Sequence, residues 1–258
     1  MISNIFELFK FRQLVFALVE RHLSARYRGS VLGFLWSLLN PLCLMIVYTV
    51  VFHHFMRNAA ISNYEIFLFC GLLPWLWVTA SLAEGSSSIV SSGHLITKSL
   101  FPAHILPVVS VLTNMIHFLL SLPIMVVFMV IQGVPFFLSL LILPVVIFLQ
   151  LLFLTGIVVG LGSLNVLYRD IQHIVGNAIT LLFFLNPIVY SASIVPERFQ
   201  WALMLNPFSL WTITYQSIIL EGIVPWINIG LLATFSLISV IVGNLVFNNY
   251  RELFAESL

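Results

Sequence analysis

Charged side chains are scarce in this chain. Its 258 residues include ten Lys and Arg and nine Asp and Glu, while 61% are hydrophobic. Soluble domains carry about 25% charged residues, against 7% here. So few charges cannot cover a water-exposed surface, and lipid is the expected solvent for most of the chain. The net charge of +1 leaves no basic field to displace counterions from nucleic acid, which excludes a general polyanion binder. Two cysteines, Cys43 and Cys70, lie inside apolar runs. They read as small buried hydrophobes rather than a disulfide framework or a zinc site.

Lysine is rarer still. Lys10 follows Phe9 and Lys98 follows Thr97, so no Gly-Lys-Ser/Thr phosphate loop exists. ATP-driven work would require a separate nucleotide-binding subunit, with ATP and Mg held there and no cofactor in this chain. No His-Glu-x-x-His motif is present, and the neighbours His53-His54 point apart on a helix. His117 reads as a packed or hydrogen-bonded histidine. No metal site and no catalytic residue is expected. Glu84 is the one acid inside a predicted span, too few for a proton relay. Glu84-Gly85-Ser86-Ser87-Ser88 lacks a paired base, which argues against a serine hydrolase. The N-terminus shows no uninterrupted apolar core or cleavage site of a signal peptide.

Long apolar runs are what the chain has. A hydrocarbon core of ~30 Å needs about 20 residues of helix. Six stretches satisfy this: 31–56, 66–90, 105–131, 137–166, 172–194 and 226–250. Gln132-Gly133-Val134-Pro135 is a tight turn between the third and fourth. With the N-terminus in the cytoplasm, Lys10, Arg12, Arg21, Arg26, Arg28, Lys98, Arg169 and Arg251 lie inside, and Arg57 and Arg198 outside. That bias places both termini in the cytoplasm.

Residues 4–26 are too charged to span. Their polar positions recur at three- and four-residue steps, which predicts an amphipathic helix in the cytoplasmic interface or docked on a partner. Residues 195–222 are apolar but interrupted by Pro196, Glu197, Arg198 and Asn206-Pro207. They read as two short helices, near 197–205 and 208–221, that enter the outer leaflet and return. A seventh span at 208–223 is the alternative. The expected fold is an all-α integral membrane domain with six transmembrane helices, an interfacial helix and a re-entrant pair before the last span.

Five motifs then point to a family. The run Arg26-Tyr27-Arg28-Gly29-Ser30-Val31-Leu32-Gly33-Phe34-Leu35-Trp36-Ser37-Leu38-Leu39-Asn40-Pro41 resembles the opening of the first span in polysaccharide-exporting ABC permeases. Gly71-Leu72-Leu73-Pro74-Trp75, Asn165-Val166-Leu167-Tyr168-Arg169-Asp170-Ile171, Asn186-Pro187-Ile188-Val189-Tyr190 and Asn206-Pro207 resemble later landmarks, in order over essentially the whole chain. The resemblance implies a homodimer paired with two copies of an ATPase subunit in the bacterial inner membrane. It implies a lipid-linked polysaccharide as cargo, O-antigen first, with teichoic acid and capsule as alternatives.

The resemblance also places spans one and five along a channel. Trp36, Asn40, Tyr48 and Phe52 recur at multiples of four on the first. Phe183, Asn186 and Tyr190 follow on the fifth, where Pro187 is expected to kink the helix. Aromatic faces there would stack on sugar C–H faces and release them readily. The loop carrying Gly93, His94, Lys98 and Phe101 is expected to contact the ATPase, with Arg26, Arg28, Tyr168, Arg169 and Asp170 nearby. The re-entrant pair is expected to close the outer mouth through Glu197, Trp201, Asn206, Pro207 and Trp211. Rival readings are a channel working without an ATPase, a membrane-embedded enzyme, and an ABC permease for drugs or lipids.

Overall fold

The computed structural model describes residues 10–55, 61, 63–93 and 102–254, and every regular element among them is helical. Nine α-helices follow in chain order among these residues: α1 (Arg12–Tyr27), α2 (Trp36–Tyr48), α3 (Tyr64–Ser91), α4 (Ile105–Ile131), α5 (Leu143–Leu167), α6 (Ile171–Leu185), α7 (Glu197–Leu205), α8 (Pro207–Gln216) and α9 (Trp226–Tyr250). Wider π-helical turns extend α2 through Thr49–Phe55 and α8 through Ser217–Glu221.

Five stretches are long and apolar enough to cross a bilayer: Gly33–Phe52, Tyr64–Ser91, Ile105–Ile131, Leu138–Leu167 and Trp226–Leu253. The third and the last helix match the sequence expectation closely. The fifth expected span, 172–194, does not persist as one helix. α6 has 15 residues, about 22 Å at 1.5 Å per residue. It stops at Leu185 because Pro187 forces the residue before it out of the helical region, and Asn186 is extended (ψ 140°). The expected kink is thus a stop, followed by a short 3₁₀ turn at Ala192–Ile194.

α3 is the central helix. Ile66, Leu68, Phe69, Cys70, Leu72 and Leu73 are buried around its whole circumference, as expected of a helix enclosed by others. Its Pro74 carbonyl accepts a hydrogen bond from Gln150 Nε2 of α5 (3.4 Å), and Tyr215 of α8 donates to Gln150 Oε1 (2.9 Å). That node ties three helices at a depth where polar groups find few partners.

α5 and α9 form the tightest pair. A Cβ on Gly243 would collide with the Gly156 backbone, so small residues let the two helices approach closely. Ser236 and Ser239 of α9 donate across to the Leu149 and Phe153 carbonyls at 2.8 and 2.7 Å. α4 ends in the predicted turn. Gly133 takes the left-handed conformation (φ 67°), Val134 N–H bonds Met129 O (2.9 Å), and Gly133 N–H bonds Val130 O (3.3 Å). This is a Schellman stop followed by Pro135.

α1 packs on the start of α4. Val15, Leu18 and Val19, spaced to share one face, are buried against Ile105 and Val109. Residues 4–9 of the expected interfacial helix lie outside the described residues, as do the side chains of His53 and His54. The same end of the molecule gathers Ile89 of α3, Val108 of α4, Val166 of α5, Phe247 of α9 and Phe254 into one apolar cluster.

Candidate functional site

Aromatic rings form a continuous file that runs from the end of α2 through α6 and α3 to α8 and α5. Phe52 lies 6.1 Å from Tyr48, and Tyr48 stacks on Phe183 of α6 at 5.5 Å. Phe183 contacts Trp75 of α3 (6.2 Å), and Trp75 meets Phe208 of α8 edge-on (6.0 Å). Phe208 and Trp211 then bracket Phe153 of α5 at 5.5 and 4.6 Å. These separations lie within the range where ring pairs attract. Of the seven rings, Phe52, Tyr48, Phe183 and Trp211 were singled out from the sequence. Trp75, Phe153 and Phe208 were not, although Trp75 closes the quoted Gly71–Trp75 motif.

Asn186 does not share the open face expected of it. It is fully buried. Its side-chain oxygen accepts from Asn206 Nδ2 (2.8 Å) and Ser209 Oγ (2.9 Å). Tyr190 is likewise off the helical face because α6 ends before it. Its hydroxyl reaches back to the Phe184 carbonyl at 3.2 Å. Asn206 also caps α8, accepting from Phe208 N–H at 3.1 Å. Pro187 O accepts from Gln216 Nε2 at 3.0 Å. The two Asn-Pro motifs therefore meet and fix where α6 hands over to α8.

The two helices at 197–221 differ in burial. On α8, Leu210, Trp211 and Tyr215 are buried. On α7, Leu203 is the buried residue, and Glu197 and Trp201 are exposed. α7 is largely exposed on the chain. α8 is part of the core.

At the other end of the bundle, Trp36 and Asn40 line a cavity of about 850 Å³ with Arg26, Tyr27, Asn114 and His117. Arg26 pairs with Glu84 of α3, and its second nitrogen donates to Asn114 Oδ1 of α4 at 3.2 Å. Asn114 Nδ2 in turn donates to Glu84 Oε2 at 2.9 Å. The Tyr27 hydroxyl lies 3.1 Å from His117 Nδ1. Arg26 is thus engaged within the chain. Its neighbour Arg28 is exposed, as are Tyr168, Arg169 and Asp170 in the α5–α6 turn. Gly93 is buried just past α3, and His94, Lys98 and Phe101 lie outside the described residues. Among the described residues, no group of three or more His, Cys, Asp or Glu side chains is arranged to hold a metal.

Residues 13–220 match the model of the ABC-2 type transporter membrane family. The chain belongs to that family. It is accordingly a multi-pass membrane transporter protein, the permease part of an ABC system. Within the ABC-2 family, it is 41% identical over 261 residues to the O-antigen export system permease protein RfbA of Myxococcus xanthus, covering 100% of both chains. It is 32% identical to a protein of the same name from Klebsiella pneumoniae, over 95% of each. A more distant relative, the polysialic acid transport protein KpsM of Escherichia coli, is 20% identical over 93% of this chain and 95% of its own.

Proposed function

We propose that this chain is the membrane-spanning permease of an exporter that carries lipid-linked O-antigen across the bacterial inner membrane. Two copies form the conduit, and two copies of a separate ATPase subunit supply the energy. The observation that carries this reading is the full-length similarity to O-antigen export permeases. The part-buried end of the ring file, Phe52, Tyr48 and Phe183, would offer faces to a sugar polymer, while Trp75, Phe153 and Trp211 are buried in the core behind it. A polymer must be held by many weak contacts and released from each in turn, and aromatic faces supply such contacts.

Six crossings follow if α6 and the extended segment after it together traverse the bilayer. The polar node of Asn186, Asn206 and Ser209 would then lie near the outer surface, shielded by protein. Both termini would be cytoplasmic, in keeping with the distribution of Lys and Arg. Trp36, Asn40, Tyr48, Phe52 and Phe183 would border the path. α7 would act as the outer gate on a fixed α8. Gly93, the adjoining loop, Arg28 and Tyr168–Asp170 would meet the ATPase.

The test is genetic. Deleting the chain in its native host should remove O-antigen from the cell surface while lipid-linked polymer accumulates inside, and restoring the chain should reverse both. Normal surface O-antigen in the deletion strain would refute the assignment.

A further inference from the structure

The cavity beside α1 has the chemistry of a sugar site. Its lining combines aromatic faces (Trp36, Tyr27) with planar polar side chains that donate and accept in fixed directions (Asn40, Asn114, His117, Arg26). Its volume of about 850 Å³ falls within the about 300–1,000 Å³ typical of small-molecule sites. Trp36 is about half exposed, at 49%, and Asn40 is exposed, so both are free to meet a ligand. The Nε2 of His117 is buried and has no hydrogen-bond partner among the described residues. A polar atom left in that state costs free energy that a ligand hydroxyl would recover.

The electrostatics select among polar ligands. Arg26 is the cation lining the cavity, and Glu84 already pairs with it while Asn114 bridges the two. Glu84 already offsets the Arg26 charge, so a phosphate or other anion there would set a second negative charge beside that carboxylate. A neutral ring with hydroxyls needs no such exchange. It can bond to the lining amides of Asn40 and Asn114 and rest its C–H face on Trp36.

We propose that this cavity binds neutral sugar rings of the glycan at the cytoplasmic mouth, as a loading site below the aromatic file. The assignment rests on the export reading above. In it, the Arg26–Glu84–Asn114 cluster is a positioning unit that holds α1, α3 and α4 around the cavity. Trp36, Asn40 and His117 touch the sugar.

The complete transporter, purified with its ATPase partner in nanodiscs, provides the test. The probe is the phosphate-free oligosaccharide cut from the host strain's own O-antigen, followed by saturation-transfer NMR with inorganic pyrophosphate as competitor. The oligosaccharide should bind. Trp36→Ala and Asn40→Leu, both at exposed positions, and His117→Leu should each weaken binding by about tenfold, or about 1.4 kcal/mol. Pyrophosphate should not displace it. Displacement by pyrophosphate would mark an anion site and overturn the proposal. So would absence of binding, or equal binding by wild type and all three properly folded variants. If surface O-antigen still depends on the chain in that case, the cavity assignment falls and the export reading stands. If surface O-antigen is independent of the chain, both fall.

Discussion

Asn206 donates its side-chain amide to the Asn186 side-chain oxygen at 2.8 Å, across 20 residues of chain. Each asparagine precedes a proline, and each stands where a helix ends or begins. Proline frees the backbone around it, and the paired amides with Ser209 take up polar groups that lipid would leave unsatisfied.

Removing one partner of this pair should expose the cost of the other. Asn206→Ala deletes both the cap of α8 and the bond to Asn186, and should destabilise the protein by about 1–2 kcal/mol in detergent unfolding experiments. The double variant Asn186→Ala/Asn206→Ala should cost less than the sum of the singles, because the two act on one bond. Strict additivity would show that the pair does not act as a unit.

The α5–α9 contact makes a paired glycine prediction. Gly243→Ala pushes a methyl into the Gly156 backbone and should lower stability by about 1–3 kcal/mol. Gly230→Ala on the same helix meets open space and should raise it by about 0.4–1 kcal/mol. Thermal unfolding of the two variants side by side gives the signs, and a loss at Gly230 would contradict the packing described.

Phe183 joins the α2 rings to those of α3. Phe183→Tyr keeps a face for stacking and should retain most export. Phe183→Leu keeps bulk without a ring and should slow polymer appearance at the surface several-fold, about 1 kcal/mol of lost contact. Equal export rates for the two would remove the file from the pathway.

The unequal burial of α7 and α8 predicts a labelling pattern. Trp201→Cys should react with a membrane-impermeant maleimide added to the outer side of spheroplasts, since Trp201 is 61% exposed. Trp211→Cys, at a position 3% exposed, should stay unlabelled in the folded protein. Labelling at position 201 only after lysis would invert the topology.

Much of this architecture can be read from the chain because lipid makes the rule simple. Where a run is apolar and ends in clear punctuation, as at Gly133 or Pro225, helix limits from sequence and structure agree within a few residues. Pro187 is different. A proline in an apolar run can kink a helix or end it; here Pro187 drives Asn186 out of the helical region, and Asn206 and Ser209, distant in sequence, bond the Asn186 side chain where the helix ends. The family resemblance places Arg26 near the ATPase contact, and its pairing with Glu84, 58 positions away, is not legible from the sequence. Periodicity within one helix carries no information about such pairs. Phe153 and Phe208 were missed for the same reason: one aromatic in an apolar run looks like any other until helices bring rings together.

ATP-dependent movement of lipid-linked O-antigen in sealed vesicles tests the account most directly, with this chain and its ATPase partner purified separately and recombined. The account predicts translocation only when both are present with ATP, and no ATP hydrolysis by this chain alone. Translocation by this chain without its partner, or hydrolysis by it in isolation, would contradict the account.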